Sequence, residues 1–524
     1  MRLWTVGCFL LALYGLIVWR LYGLQMREGQ YYAARAASQY GLTRAAATPR
    51  QQIYGTDKHN NNIPFAMNKM TPVVFAVPEE IEDVPEVSAR LGALLSIDVA
   101  RLEKILAKPK DRYELLVQKA SNEQVRAIRE AAIRGVYIDE IERRLYPFGI
   151  LAAHVLGYVG DGEDGEQIGR YGIEAAFNEE LQSDALTVTI DRNIQAHAEE
   201  ILGGLVAKHR ATGGTIIVME PGSGKMIALA NAPTFDPNEY GKYDIKNFLN
   251  TAVQAVYEPG SIFKIVTMVG ALDAGAVRPE TTFYDTGELT LNGKTIRNWD
   301  NKGHGSVTMT SVIEESINTG AAFAERKLSH NKFYQYLVDF GFKEKTGIEL
   351  GGEVKGSLRP LERNVEDINF ATASYGQGVS VTPIGLARAV GAIANGGLLM
   401  KPYITDHGKP SIMRRVVTKD AATQVTKMMV SAVEKAKVAA IPGYSIAGKT
   451  GTAQIPDFKH GGYTHDVVNT YVGFAPAFDP KFLILVKLDK PEGAPLAGTT
   501  VVPAFRELAE FVINYLQIPP DKKL

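Results

Sequence analysis

The chain has 524 residues, with 57 lysines and arginines against 58 aspartates and glutamates and a formal net charge of −1. That balance excludes a nucleic-acid partner held by a basic surface, and 45% hydrophobic with 22% charged residues excludes a disordered chain. The one cysteine, Cys8, excludes an internal disulfide, and the length has room for about two or three domains.

The first element is apolar. Leu3 to Trp19 carries no charge, and the apolar character resumes past Arg20 to Leu24. As a helix these residues span roughly 33 Å, enough to cross a bilayer. Residues 1–24 are therefore expected to be an uncleaved membrane anchor. A cleaved signal peptide is the alternative, but the segment is long for one. The nearest small-x-small site, Ala34-Arg35-Ala36, also lies far downstream. Charge does not orient the anchor. Only Arg2 precedes the apolar run, while Arg20, Arg27 and Arg35 lie within or after it, so the positive-inside rule points the wrong way.

Residues 25–185 are expected to form a second domain. A strand is expected over Pro72–Val77, with helices over Val87–Ala107 and Ser121–Ile133. Ser121 and Gln124 have capping-box spacing. Asp161–Gly169 is acidic and glycine-rich and is expected to be a mobile loop. Neither an internal repeat nor a low-complexity tract is present.

A third domain is expected over 186–518, with 519–524 as a short tail. Leu186–Ile190 alternates like a strand, and Arg192–Arg210 reads as a helix. Thr215–Met219 and Met226–Ala230 read as a hairpin through Pro221-Gly222-Ser223-Gly224. Asn469–Ala475 and Phe482–Leu488 read as strands, and Val502–Leu516 as a terminal helix. Strands at both ends with helices between them imply an α+β fold, one central antiparallel sheet covered by helices.

Three motifs inside this domain carry chemistry. In Tyr257-Glu258-Pro259-Gly260-Ser261-Ile262-Phe263-Lys264, Pro259-Gly260 ends one segment and an apolar run follows. A helix starting there puts Ser261 in its first turn and Lys264 on the same face. A serine hydroxyl needs a base before it becomes a nucleophile. An ammonium buried against Phe263, Ile265 and Met268 loses its proton readily and can serve as that base. Ser316-Ile317-Asn318 and Lys449-Thr450-Gly451-Thr452 follow in order, the ordered signature of serine acyl-transferases. Each outer motif has a second copy. Ser329-His330-Asn331-Lys332 lies in a polar segment with no apolar wall and is expected to be a helix end or loop. Lys345-Thr346-Gly347 lies between turn residues and charges and is expected to be a surface turn. Lys449 is expected on a strand at a sheet edge facing the serine helix. The histidines show no metal spacing, and His460 and His465 are expected to be solvated.

With these motifs in place, nearly the whole chain resembles the class B penicillin-binding proteins, membrane-anchored peptidoglycan transpeptidases. Arg20–Gln25 resembles the junction after the family's anchor. Arg50–Asp57, Arg144–Gly160 and Gly172-Ile173-Glu174 resemble motifs of its non-catalytic dimerisation-type pedestal. Asn298-Trp299-Asp300, Tyr375-Gly376-Gln377-Gly378 and Val472–Pro476 resemble landmarks of its transpeptidase domain. Tyr257–Lys264 and Lys449–Gln454 resemble the division (FtsI-like) type more than the elongation type. Gln51 and Gly55-Thr56-Asp57 depart from the family's usual pedestal pattern.

The resemblance implies a reaction. Ser261 attacks the penultimate carbonyl of a stem peptide ending in D-Ala-D-Ala. D-Alanine leaves, and an amine of a neighbouring stem resolves the acyl-enzyme into a cross-link. Lys264 is implied as base, and Ser316 as proton relay to the leaving amine. Asn318 is implied as a contact to the donor amide that also holds Lys264, and Lys449 as positive charge near Ser316 and the substrate carboxylate. Thr450 and Thr452 would bind that carboxylate, Gly451 would keep the strand clear for substrate, and the backbone N–H groups of Ser261 and Thr452 would form the oxyanion hole. Tyr375–Gly378 is either a turn or part of the cleft. No metal or organic cofactor is implied. β-Lactams are implied as covalent inhibitors, and the implied partners are the membrane, a membrane glycan polymerase of the SEDS type and division proteins. The bulk of the chain is then extracytoplasmic. No glycosyltransferase is legible before the catalytic domain, so a single activity is expected. Two alternatives remain: an acyl-serine hydrolase (β-lactamase or DD-carboxypeptidase) on the same scaffold, and a non-catalytic β-lactam-binding scaffold or sensor.

Overall fold

The computed structural model describes residues 2–22, 50–108, 113–162, 167–363, 365–457, 459–494 and 496–523. The expected junction Gly23-Leu24-Gln25, the segment to Pro49 and the centre of the Asp161–Gly169 loop lie outside the described residues.

A helix runs over Arg2–Tyr22. Leu11, Leu16, Trp19 and Tyr22 are exposed along it. Among the described residues no helix is long and apolar enough to cross a membrane.

The rest of the chain divides into two compact units, and not at a single cut. One comprises residues to Gln51, Met67–Leu145 and Gly160–Ile168; the other Gln52–Ala66, Tyr146–Val159 and Gly169–Leu524. In the first, Met67–Ala76 pairs antiparallel with Val136–Leu145, so the expected Pro72–Val77 strand is longer than read. The reason is that Pro64 and Pro72 interrupt its sequence signal without ending the strand. The expected Val87–Ala107 helix is two helices, Val84–Leu95 and Val99–Leu106. Ser96 turns left-handed with φ +56, and Asp98 restarts the chain by accepting the Arg101 N–H at 2.9 Å. The capping box at Ser121 and Gln124 is present in both directions. Val74, Leu91, Leu102 and Ile128 fill this unit's core.

The second unit is built on a five-stranded sheet. Its elements used below are α1 (Arg192–His209), β1 (Gly213–Met219), β2 (Met226–Ala232), α2 (Phe263–Asp273), α3 (Met309–Glu314), α4 (Asn318–Leu328), α5 (Lys419–Ala436), β3 (Ala447–Pro456), β4 (Tyr463–Ala475), β5 (Phe482–Asp489) and α6 (Val501–Leu516). The strand order is β3-β4-β5-β1-β2, every neighbour antiparallel. β3 is therefore an edge, as expected. Both faces are covered, which explains near-continuous apolar runs such as Phe482-Leu483-Ile484-Leu485-Val486, all fully buried. Ile194, Ile216, Ile484, Phe505 and Leu508 pack one face. Ile217, Leu485, Val472, Val269 and Val390 belong to the core on the other. The expected strand at Leu186 does not join this sheet. Leu186–Asp191 pairs parallel with Ile53–Thr56 instead.

Candidate active site

α2 is buried from Phe263 to Leu272, with no polar stripe. A helix apolar all round belongs in a core, and this one carries its lysine there. Lys264 is 1% exposed. Gly260–Ile262 forms a tight turn just before α2, so Ser261 sits at the entrance of the helix and Lys264 in its first turn. Lys264 Nζ lies 3.0 Å from Ser261 Oγ and 3.0 Å from Ser316 Oγ, and it also donates to the Ser316 carbonyl.

Ser316 and Asn318 stand at the junction of α3 and α4. Ser316 is left-handed, with φ +58. β3 brings Lys449 to the same place: its Nζ donates to Ser316 Oγ at 3.0 Å, with longer contacts to Thr450 O at 3.3 Å and Thr450 Oγ1 at 3.4 Å. Thus the three motifs meet at one hydroxyl. Burial pushes Lys264 well below the ordinary lysine value, and the nearby Lys449 charge pushes it further. Burial alone lowers Lys449 to about 8. Of the pair, Lys264 is therefore the one that gives up its proton first, beside a Lys449 that keeps its charge below about pH 8.

Counting hydrogens limits the directions. A neutral amine has two N–H donors and one lone pair. The Ser316 carbonyl can only accept. One N–H of Lys264 is therefore committed to Ser316 O; with the other on Ser316 Oγ, a neutral Lys264 has its lone pair left for the Ser261 hydroxyl proton. Ser316 Oγ, accepting from both lysines, keeps its own proton free to donate.

β3 closes against the serine turn. A Cβ on Gly451 would lie 2.7 Å from Pro259 O and 3.0 Å from Ile262 Cγ1. The missing side chain thus makes room for the turn that carries Ser261, whereas the sequence reading assigned the room to substrate. A second glycine supports the turn from behind. Gly376, with φ +84, would place a Cβ 2.2 Å from Gly260 O, and Gly260 N donates to Gly376 O at 3.1 Å. Tyr375–Gly378 is therefore a turn packed against the turn that carries Ser261. Glu258 ties it further, accepting the Gly378 N–H at 3.0 Å and the Tyr463 hydroxyl at 3.1 Å.

Two expected contacts come out differently. Asn318 Nδ2 donates to Arg297 O at 2.8 Å, while the bonds of Lys264 go to Ser261 and Ser316, so Asn318 does not hold Lys264. Thr452 Oγ1 donates to Asn469 Oδ1 at 3.2 Å and accepts the Ala497 N–H at 3.3 Å, so its hydroxyl is engaged within the chain. A cleft of about 100 Å³ opens beside Lys449 and Thr450, walled by Ile313, Val433, Ala436 and Val502.

The second copies of the motifs lie elsewhere. Ser329 and Lys332 are exposed where α4 gives way to the next helix. Lys345 is exposed, but Thr346 is buried and donates its N–H to Glu353 at 2.6 Å. That turn is anchored inward, not merely laid on the surface. His465 is exposed, and His460 faces Asp457 at 2.9 Å.

Sequence reasoning missed Asn469, fully buried in β4, which also donates to Thr500 Oγ1 at 3.1 Å. The signal was a lone amide in the apolar run Val467-Val468-Asn469-Thr470-Tyr471-Val472. It also missed Asp285, 2% exposed, which accepts the Thr319 hydroxyl at 2.6 Å beside the Ser-x-Asn motif.

Residues 214–510 match the family described as the penicillin binding protein transpeptidase domain, and residues 46–216 the penicillin-binding protein dimerisation domain. The chain is 32% identical to Stage V sporulation protein D of Bacillus subtilis over 511 residues, covering 88% of this chain and 78% of that protein. It is 29% identical to the peptidoglycan D,D-transpeptidase FtsI of Escherichia coli over 550 residues, covering 98% and 92%. The fold is similar to that of penicillin-binding protein 2X from Streptococcus thermophilus, with a TM-score of 0.73 at 20% identity, covering 90% of this chain and 81% of that one.

Proposed function

Because this chain belongs to the class B penicillin-binding proteins and is a serine-type peptidoglycan D,D-transpeptidase, we propose that Ser261 is its nucleophile and Lys264 the base that activates it. The observation that carries this is one buried amine, pushed well below the ordinary lysine value, 3.0 Å from both Ser261 Oγ and Ser316 Oγ.

The steps follow from the hydrogen count. Lys264 takes the Ser261 proton as Oγ bonds to the penultimate carbonyl carbon of the donor stem. The tetrahedral oxyanion is met by the backbone N–H groups of Ser261 and Thr452, each worth about 3 kcal/mol in the transition state. As the C–N bond breaks, Ser316 gives its proton to the departing D-alanine amine and is resupplied from Lys264. The acceptor amine then attacks the ester and its proton goes to Lys264, which passes a proton to Ser261 Oγ as the C–O bond breaks, restoring both groups. Lys449, charged below about pH 8, holds the donor carboxylate with Thr450 and Thr452. Binding the donor by Thr452 requires its hydroxyl to exchange Asn469 for substrate. Asn318 contacts the donor amide. β-Lactams acylate the same serine.

The proposal extends to location. Residues 1–24 anchor the chain in the membrane, supported by the exposed apolar side chains of Arg2–Tyr22, and the bulk lies extracytoplasmic, where peptidoglycan is. Residues 25–185 serve as pedestal and 186–518 as transpeptidase domain. A septal role beside a membrane glycan polymerase and division proteins rests on the resemblance of Tyr257–Lys264 and Lys449–Gln454 to the division type.

Cells carrying Ser261→Ala as their only copy test the function. Peptide cross-links should fall while the protein remains folded and present. Full growth and normal cross-linking with that variant would overturn the proposal.

A further inference from the structure

Ser316 must stand where both lysines reach it, yet its own segment does little to keep it there. A residue with a Cβ in the left-handed region costs roughly 1–3 kcal/mol, and Ser316 pays it at φ +58. α4, which begins two residues later, has no cap of its own: Ile317 is the N-cap residue and offers no acceptor. The acceptor comes from another segment. Asn298 Oδ1 receives the N–H of Asn318 at 3.0 Å and of Thr319 at 3.2 Å. Asn298 is 2% exposed, and its Nδ2 donates to Asp285 Oδ2 at 2.8 Å and to Lys302 O at 3.0 Å. Those acceptors fix which end of the amide faces α4. On the other side of Ser316, the Trp299 indole N–H donates to Glu315 O at 3.0 Å. Two consecutive residues thus grip the chain on both flanks of Ser316.

We infer that Asn298-Trp299 is a positioning pair that holds Ser316 in its left-handed conformation, capping α4 from outside and pinning the Glu315 carbonyl. It touches no reacting atom. It keeps Ser316 Oγ between Lys264 and Lys449, and so acts through the proton relay of the proposed mechanism, on which it rests. Asp285 sits behind it, binding both the Asn298 amide and the Thr319 hydroxyl.

The test separates positioning from simple stability. Trp299→Phe keeps a ring but loses the N–H, and at 60% exposure the site tolerates it in the fold. Asn298→Ala removes the outside cap. For each full-length variant the thermal midpoint is measured, together with the binding constant K and the acylation rate constant k2 for a fluorescent penicillin. Trp299→Phe should leave the midpoint and K unchanged and lower k2 about tenfold, one hydrogen bond's worth. Asn298→Ala should lower k2 by about a hundredfold in its folded fraction. An unchanged k2 in Trp299→Phe overturns the inference, and so does a loss confined to K, which would make the indole a wall for the ligand. Should Asn298→Ala fail to fold, k2 of Trp299→Phe decides alone. If the penicillin adduct of the unsubstituted protein mapped away from Ser261, the underlying mechanism would fall instead.

Discussion

Lys264 and Lys449 share one acceptor: both Nζ atoms lie 3.0 Å from Ser316 Oγ. Two buried cations on a single hydroxyl repel strongly, so one of them gives up its proton. It is Lys264, which burial and the Lys449 charge both push down. The proposed mechanism requires Lys264 neutral and Lys449 charged for acylation. The rate with a fluorescent penicillin should therefore rise with pH through the lowered Lys264 value, level off, and fall above about pH 8 as Lys449 loses its proton. Lys449→Met should cost about a hundredfold, abolish the fall near pH 8, and move the acid limb to higher pH because the repelling charge is gone. An acid limb unmoved in that variant would contradict the coupling.

Gly451 is where β3 meets the Ser261 turn. Gly451→Ala places a methyl 2.7 Å from Pro259 O, an overpacking worth about 1–3 kcal/mol, and forces the turn away from the strand. Acylation should drop by about tenfold or more. Gly222→Ala is the control, since nothing lies within 4 Å of its added carbon. Rate and thermal midpoint, measured on both, check this.

Glu199 in α1 is held away from water and pushed up to about 7. It accepts from Gln195 Nε2 at 2.7 Å and from the Ala152 N–H at 2.8 Å. Its folded value lies above the ordinary carboxylate value, so the folded state binds the proton more tightly than the unfolded chain. Its contribution is then full below about pH 4.5 and is lost as pH rises through about 7. Glu199→Gln keeps an oxygen for both donors and removes the titration. Its stability should exceed that of the parent at pH 8, by about 3 kcal/mol, and be equal near pH 4. Denaturant midpoints at the two pH values measure it.

Ser329 and Lys345 imitate the motifs but stand apart from the lysine pair and are exposed. Ser329→Ala and Lys345→Ala should change acylation by less than about twofold, as surface substitutions do. A large loss in either would show that the site has been misassigned.

The meeting of Ser261 with Lys264 and the edge position of β3 were legible because short-range signals carry them. Pro259-Gly260 breaks the chain before an apolar helix, and Lys449 sits in a run of small residues that suits an edge. What holds the site was not legible, because it is long-range. Asn298 caps a helix whose first residue, Asn318, lies 20 residues on, and Asn469 bonds Thr452 across a strand pair. Nothing in Ser316-Ile317-Asn318 announces a left-handed serine. The split of the expected Val87–Ala107 helix was legible in principle, since Ser96-Ile97-Asp98 offers an N-cap. Its apolar periodicity, carried across the break, concealed it. The strand at Leu186 was read correctly as an element but counted toward the central sheet, because alternation reveals a face and not a partner.

Every step proposed above depends on the Ser261 hydroxyl becoming esterified after Lys264 removes its proton. Peptide mapping by mass spectrometry of the full chain after penicillin treatment tests it most directly. One penicilloyl group is expected, on the peptide containing Ser261, and none in Ser261→Ala. A penicilloyl group on another residue, or undiminished labelling of Ser261→Ala, would contradict it.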